Sequence, residues 1–146
     1  MIDWYQLRHV GMALFGPPPA SLVPVISHDE YVEAVRQHLQ AWPDWVDGFV
    51  TRGSQAYAIL TMCRGLRTWR TGEDASKREA ARWACAVLPE YASLIQDAMA
   101  WRQQSRFGPR IDGTVTRDVT RRFVMDVQRL AEEGGRVGCD QPAPSP

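Results

Sequence analysis

Two serine-led capping signals, each followed by a proline or glycine stop, cut this chain into helices. In Ser27-His28-Asp29-Glu30 and again in Ser76-Lys77-Arg78-Glu79, a serine hydroxyl and a glutamate three residues on satisfy each other's orphan backbone N–H groups. The first box predicts a helix with Tyr31, Val32, Val35, Leu39 and Trp42 on one face, ending at Pro43. Asp44-Trp45-Val46-Asp47-Gly48 reads as a loop. Ser54 is the expected cap of a helix running through Tyr57, Leu60, Arg64 and Arg67 to a Gly72 stop, with Tyr57, Leu60 and Arg64 sharing a face. The second box opens a helix with Ala80, Trp83, Ala84 and Val87, stopped before Pro89. That proline suits the first turn of the next helix, which shows Tyr91, Leu94, Ile95, Ala98 and Trp101. After breaks at Phe107-Gly108-Pro109 and Asp112-Gly113, a last helix carries Val119, Phe123, Val127 and Leu130 to Gly134-Gly135. Tyr57, Trp69, Trp83 and Trp101, at helical spacing, read most simply as core.

The expectation is an all-α fold, a bundle of about five helices over residues 25–135. Residues 1–24 form a separate arm: a short helix over 3–10, then a short buried strand, Met12-Ala13-Leu14-Phe15, stopped by Gly16 and three prolines. A lone strand makes no sheet, so its partner is expected in another chain or in a segment outside this one. An open face of that kind predicts self-association. Residues 136–146, with Pro142, Pro144 and Pro146, are expected to be a disordered tail.

Composition narrows the function. A length of 146 residues allows one domain with a real core. Formal net charge is zero, so no basic field argues for nucleic acid. No apolar run approaches the roughly 20 residues of a membrane span. The N-terminus has no signal-peptide pattern. Cys63, Cys85 and Cys139 lie far apart and away from His9, His28 and His38. They suit reduced cytoplasmic thiols better than a disulfide framework or a zinc site. None of the common nucleotide, hydrolase, zincin or redox motifs occurs, and no Asp-x-Asp pair sits on a strand.

Six residues carry what chemistry there is. Lys77 is the only lysine among 17 basic residues, placed just past a helix N-cap. Helix N-termini and lysines both suit phosphate; a solvated surface lysine is the plain alternative. Arg64 lies mid-helix, where a charge must snorkel, bind an anion or pair with Asp74, Glu79 or Glu90. Trp42, Asp44, Trp45 and Asp47 place aromatic faces beside carboxylates, a combination that suits a cationic ligand. Two core tryptophans with acidic turn residues around them explain the same pattern.

In order, Gly11-Met12-Ala13-Leu14-Phe15-Gly16 with its prolines, Trp42, Asp44-Trp45, Leu60-Thr61-Met62-Cys63-Arg64, Thr71-Gly72, Ser76-Lys77, Ala80-Ala81, Trp83-Ala84 and Leu88-Pro89 resemble the C-terminal half of the aminoglycoside adenylyltransferases, the streptomycin and spectinomycin resistance nucleotidyltransferases. The resemblance covers roughly residues 8–133. It implies a helical domain that closes over an N-terminal nucleotidyltransferase domain, with ATP, Mg2+ and the antibiotic between them. Residues 1–24 then resemble the end of that N-terminal domain. Carried over by position, the family's phosphate-contacting arginine and lysine match Arg64 and Lys77. Its streptomycin-contacting aromatic matches Trp42, its acidic partner Asp44, and a second carboxylate Asp47. Two local departures stand out: the segment between Trp42 and Asp44 is shorter, and a family tyrosine falls on Arg102. The larger departure is the missing domain with the metal-binding carboxylates and the base. The resemblance therefore implies no AMP transfer by this chain alone. It leaves open a truncated product, a mis-called start, or a non-catalytic helical domain kept for binding a small molecule or for a structural role.

Overall fold

The computed structural model describes residues 1–133. The expected tail and the Gly134-Gly135 stop lie outside the described residues. Seven α-helices are present among them: α1 (Ile2–Val10), α2 (Pro19–Leu22), α3 (His28–Ala41), α4 (Arg52–Thr71), α5 (Lys77–Val87), α6 (Ala92–Ser105) and α7 (Arg117–Glu133). Short 3-10 turns precede or link several of them. The all-α class holds, and α3 to α7 form the five-helix body. No helix among the described residues is long and apolar enough to cross a membrane.

Both capping boxes form. The Ser27 hydroxyl accepts from the Glu30 backbone at 3.2 Å and the Glu30 carboxylate from the Ser27 backbone at 2.8 Å. Ser76 and Glu79 repeat the arrangement at 3.3 and 2.9 Å. Gly72 ends α4 in the left-handed region, φ 72°, where a side chain would be strained. The start of α4 differs from the expectation. Thr51 is its N-cap and Ser54 the third helical residue, each bonded to the other's backbone. A serine three residues after a threonine completes the box, so the helix begins earlier.

Helix α4 is the spine. It packs against α3, α5, α6 and α7. Ala56, Ile59, Leu60, Cys63 and Leu66 are fully buried along it, at the i, i+3, i+4, i+7 spacing of a core stripe. Gly65 lets α3 approach closely. A Cβ there would lie 2.6 Å from Leu39 Cδ2. From the other side, Phe123, Val124 and Val127 of α7 complete the core, and the Tyr91 hydroxyl donates to Asp126.

The expected strand at Met12–Phe15 does not form. Met12 and Ala13 have no regular structure, Leu14 and Phe15 lie in a bend, and Phe15 is 100% exposed. With no neighbouring strand its backbone finds no ladder, and the three prolines that follow cannot extend one. The only β pairing among the described residues is an isolated bridge between Thr51 and Asp112. The rest of the arm is docked. Tyr5 of α1 stacks on Tyr31 of α3 at 4.0 Å, beside Ile2, Ile26, Val32 and Val35. Arg8 donates to the carbonyls of Ala20 and Val23, clamping α1 to α2.

Candidate functional site

A cavity of about 680 Å³ opens where α1, α3, α4 and the start of α5 meet. Gln6, Tyr31, His38, Tyr57, Arg64 and Lys77 are among its walls. Arg64 and Lys77, 13 residues apart in sequence, therefore face one space. The turn after Gly72 brings them together by reversing the chain from the last turn of α4 into the first residue of α5.

Arg64 holds Asp74 in a fork. Its Nε donates to Oδ1 at 3.1 Å, and its Nη2 to Oδ1 and Oδ2 at 2.9 and 3.0 Å. Asp74 also accepts from the Ala75 backbone at 2.9 Å and from Gln6 at 3.4 Å. Of the pairings open to Arg64, Asp74 is the one that forms. The side chains stay 30% and 38% exposed, so the pair is reachable from water.

Lys77 has no carboxylate partner within salt-bridge distance among the described residues. Its Nζ sits 4.1 Å from the centre of the Tyr57 ring. Burial, then the positive charges of Arg102 and Arg64, push its pKa down to about 8. The Tyr57 face acts the other way, since a cation over a ring gains about 0.5–1 kcal/mol at an exposed site, less than one pH unit of titration. The fall from the usual lysine value to about 8 is larger, so desolvation and the guanidiniums dominate. A negative charge entering the cavity would raise the Lys77 pKa again. The Thr61 hydroxyl, on the cavity wall, is buried with no hydrogen-bond partner among the described residues.

The face of α4 that meets the cavity was misassigned from sequence. Leu60 is fully buried, while Tyr57, Thr61 and Arg64, at i, i+4 and i+7, line the space. Tyr57, expected in the core, is 53% exposed. The heptad-like spacing of Tyr57, Thr61 and Arg64 was the available signal. Trp101 is buried as expected, and Trp69 and Trp83 pack half-buried against the core.

The Trp42 group lies beside this cavity. Trp42 is 2% exposed, wedged against Phe49 at 5.5 Å, Trp45 at 5.8 Å and Tyr57 at 5.9 Å. Its ring belongs to the core and offers no free face to a ligand; Trp45, 49% exposed, is the accessible indole. A helix that ends in a 3-10 turn at Pro43 turns position 42 inward and position 45 outward. His38, edge-on to Trp42 at 5.7 Å, joins the group to the cavity, and burial lowers its pKa. Asp44 and Asp47 are exposed and do not line the cavity. Asp47 is tied to α7: its carbonyl accepts from Arg117 at 2.6 Å, and its carboxylate lies 3.7 Å from Arg121.

A magnesium ion that arrives with a nucleotide takes oxygen ligands from water, the phosphates and one or two carboxylates. Among the described residues no cluster of three or more His, Cys, Asp or Glu side chains could hold a metal. Arg64 and Lys77 are both cations, a charge that suits phosphate oxygens rather than a metal ion.

Residues 21–119 match the family model described as "Aminoglycoside adenylyltransferase, C-terminal domain". The chain is similar to a spectinomycin 9-adenylyltransferase of Staphylococcus aureus (strain Mu50 / ATCC 700699). The two are 33% identical over 94 residues, which is 64% of this chain and 34% of that protein. It is also similar to aminoglycoside (3'') (9) adenylyltransferases. The Rhizobium radiobacter protein is 29% identical over 116 residues, 77% of this chain and 39% of its own. The Escherichia coli protein is 29% identical over 114 residues, 73% of this chain and 41% of its own. No solved structure matches. The chain thus spans about a third to two fifths of the length of the curated relatives it matches. From residues 21–119 it belongs to the aminoglycoside adenylyltransferase family, as that family's C-terminal domain.

Proposed function

We propose that this chain is the helical ligand-side domain of an adenylyltransferase that moves AMP from ATP to a hydroxyl of a streptomycin- or spectinomycin-type compound. The observation that carries the reading is the shared cavity, onto which Arg64, bonded to Asp74, and Lys77 present two cations. Arg64 offers a fork and Lys77 a point charge, the pair that a polyphosphate chain uses. The cationic antibiotic is assigned to the exposed side of the Trp45 loop, where Asp44 and Asp47 supply carboxylates above the buried Trp42. ATP arrives with Mg2+, whose ligands and the catalytic base belong to a nucleotidyltransferase domain. Alone, the chain binds without turnover.

The test is calorimetric titration of ATP, inorganic tripolyphosphate and streptomycin into the purified chain. Saturable binding of ATP and tripolyphosphate, lost in Lys77→Ala, supports the nucleotide half. Weakened streptomycin binding in Asp44→Asn supports the other half. Absence of any saturable heat up to millimolar ligand overturns the reading. It would leave a structural role for Arg64, which the Asp74 fork already satisfies.

A further inference from the structure

A second space, a groove of about 1110 Å³, runs along α5 and α6. Residues 88–91 link these two helices, and so short a link sets them antiparallel, side by side. Arg78 and Arg82 stand one turn apart on the α5 wall, and Arg102 and Arg106 on the α6 wall. In antiparallel helices these four share the end of the groove remote from the link. All four are exposed. Among the described residues none of them meets a carboxylate within salt-bridge distance, whereas Arg36, Arg64, Arg67, Arg121 and Arg129 each do. Arg106 rests against the Phe107 ring at 5.3 Å. Glu79 and Asp97 do not line the groove, and the Glu79 carboxylate is held by the Ser76 backbone at 2.9 Å. Like charges one turn apart on a helix repel, so the sequence bears a cost here that it avoids elsewhere. Toward the link the lining turns apolar, with Cys85, Ile95 and the half-buried Met99.

We propose that this groove docks an acidic amphipathic helix of a partner protein, with its carboxylates in the guanidinium forks and its apolar side chains on Met99 and the strip beside it. Charge complementarity selects the partner, because a guanidinium fork matches a carboxylate with two parallel hydrogen bonds. An open groove between two helices takes a third helix by its apolar stripe. Residues 95–106 span about 17 Å at the helical rise, which a partner helix of about 12 residues covers. A nucleic acid strand fits less well. The cations fill only one end, the rest of the lining is apolar, and the chain has no net positive charge to hold phosphates beyond it. The groove shares no lining residue with the Arg64 and Lys77 cavity. The proposal therefore stands whether or not that cavity takes a nucleotide.

The test is fluorescence anisotropy with the full chain and a labelled helical peptide of about 12 residues. Glutamates occupy one half of its exposed stripe and leucines the other. Expected is saturable binding that weakens severalfold between 50 and 300 mM salt, as charge pairing at a surface does. Arg82→Gln with Arg102→Gln should weaken it about tenfold. Ala100→Glu, which places an acid in the groove, should weaken it severalfold. Arg122→Gln, exposed on α7 outside the groove, should bind as the parent does. All the substituted positions are exposed, so the variants are expected to fold, which circular dichroism checks. The proposal is overturned by any of four results: no saturable binding up to millimolar chain, equal binding of a peptide with glutamine for glutamate, groove variants that bind as the parent does, or tighter binding of an oligouridylate of equal charge.

Discussion

The guanidinium of Arg64 grips the carboxylate of Asp74 across the turn that separates α4 from α5, with contacts of 2.9 to 3.1 Å. Asp74 therefore occupies the fork that a phosphate would take. Asp74→Asn is expected to raise tripolyphosphate affinity severalfold, and Arg64→Ala to remove it. Both changes should cost less than about 1 kcal/mol of stability, because exposed ion pairs contribute little. Calorimetric titration and urea melts of the two variants check this. A fall in affinity in Asp74→Asn would sink the idea that Asp74 competes with the anion.

Lys77 makes stability depend on pH in one window. Its folded pKa of about 8 lies below the unfolded value of about 10.4. Between these the unfolded chain binds more protons, so stability rises with pH there. The cost of the buried charge is fully present below pH 8 and fades as pH approaches 10. Lys77→Met should thus be more stable than the parent near pH 7, with the gap closing toward pH 10. Thermal melts across that range read it out, and a gap that widens with pH contradicts it.

Trp42 and Trp45 should separate cleanly. Trp42→Ala empties a buried site and is expected to cost about 3–5 kcal/mol. Trp45→Ala removes an exposed ring and should cost under about 1 kcal/mol while weakening streptomycin binding. If Trp45→Ala binds streptomycin as the parent does, the antibiotic does not rest on that loop.

Gln55 is a polar rivet in the core, 1% exposed. Its Nε2 donates to the carbonyls of Phe49 and Gly113 at 3.1 and 2.9 Å, and its Oε1 accepts from the Thr116 hydroxyl at 2.6 Å. Gln55→Ala removes all three bonds, while Gly113 and Thr116 stay bonded to each other, an expected loss of about 1–3 kcal/mol in urea denaturation. A loss under 1 kcal/mol would mean that water replaces the amide.

Much of this was readable beforehand because helix ends are written locally. A Ser and a Glu three apart fix a start, and Gly72 fixes a stop, without reference to the rest of the chain. The Met12–Phe15 strand was misread for the opposite reason. An apolar run becomes a strand only if another strand lies beside it, and that is a property of the surroundings. Tyr57, expected in the core, faces the cavity instead, because periodicity gives a helix face but not which neighbour covers it. Gln55 left no mark in the sequence at all. Its partners at Gly113 and Thr116 are about 60 residues away, and a glutamine in a helix carries no hint of burial.

Helix α4 carries Arg64 and Tyr57 on one side and touches four other helices on its remaining sides. An element in that position exchanges its amide hydrogens with solvent only when the whole body opens. Occupation of the cavity would therefore slow exchange deep inside the bundle as well as at its surface. By mass action, ligand at a hundred times its dissociation constant adds about 2.7 kcal/mol to the opening of every core amide. A ligand that protects only the N-terminal arm would be sitting somewhere else.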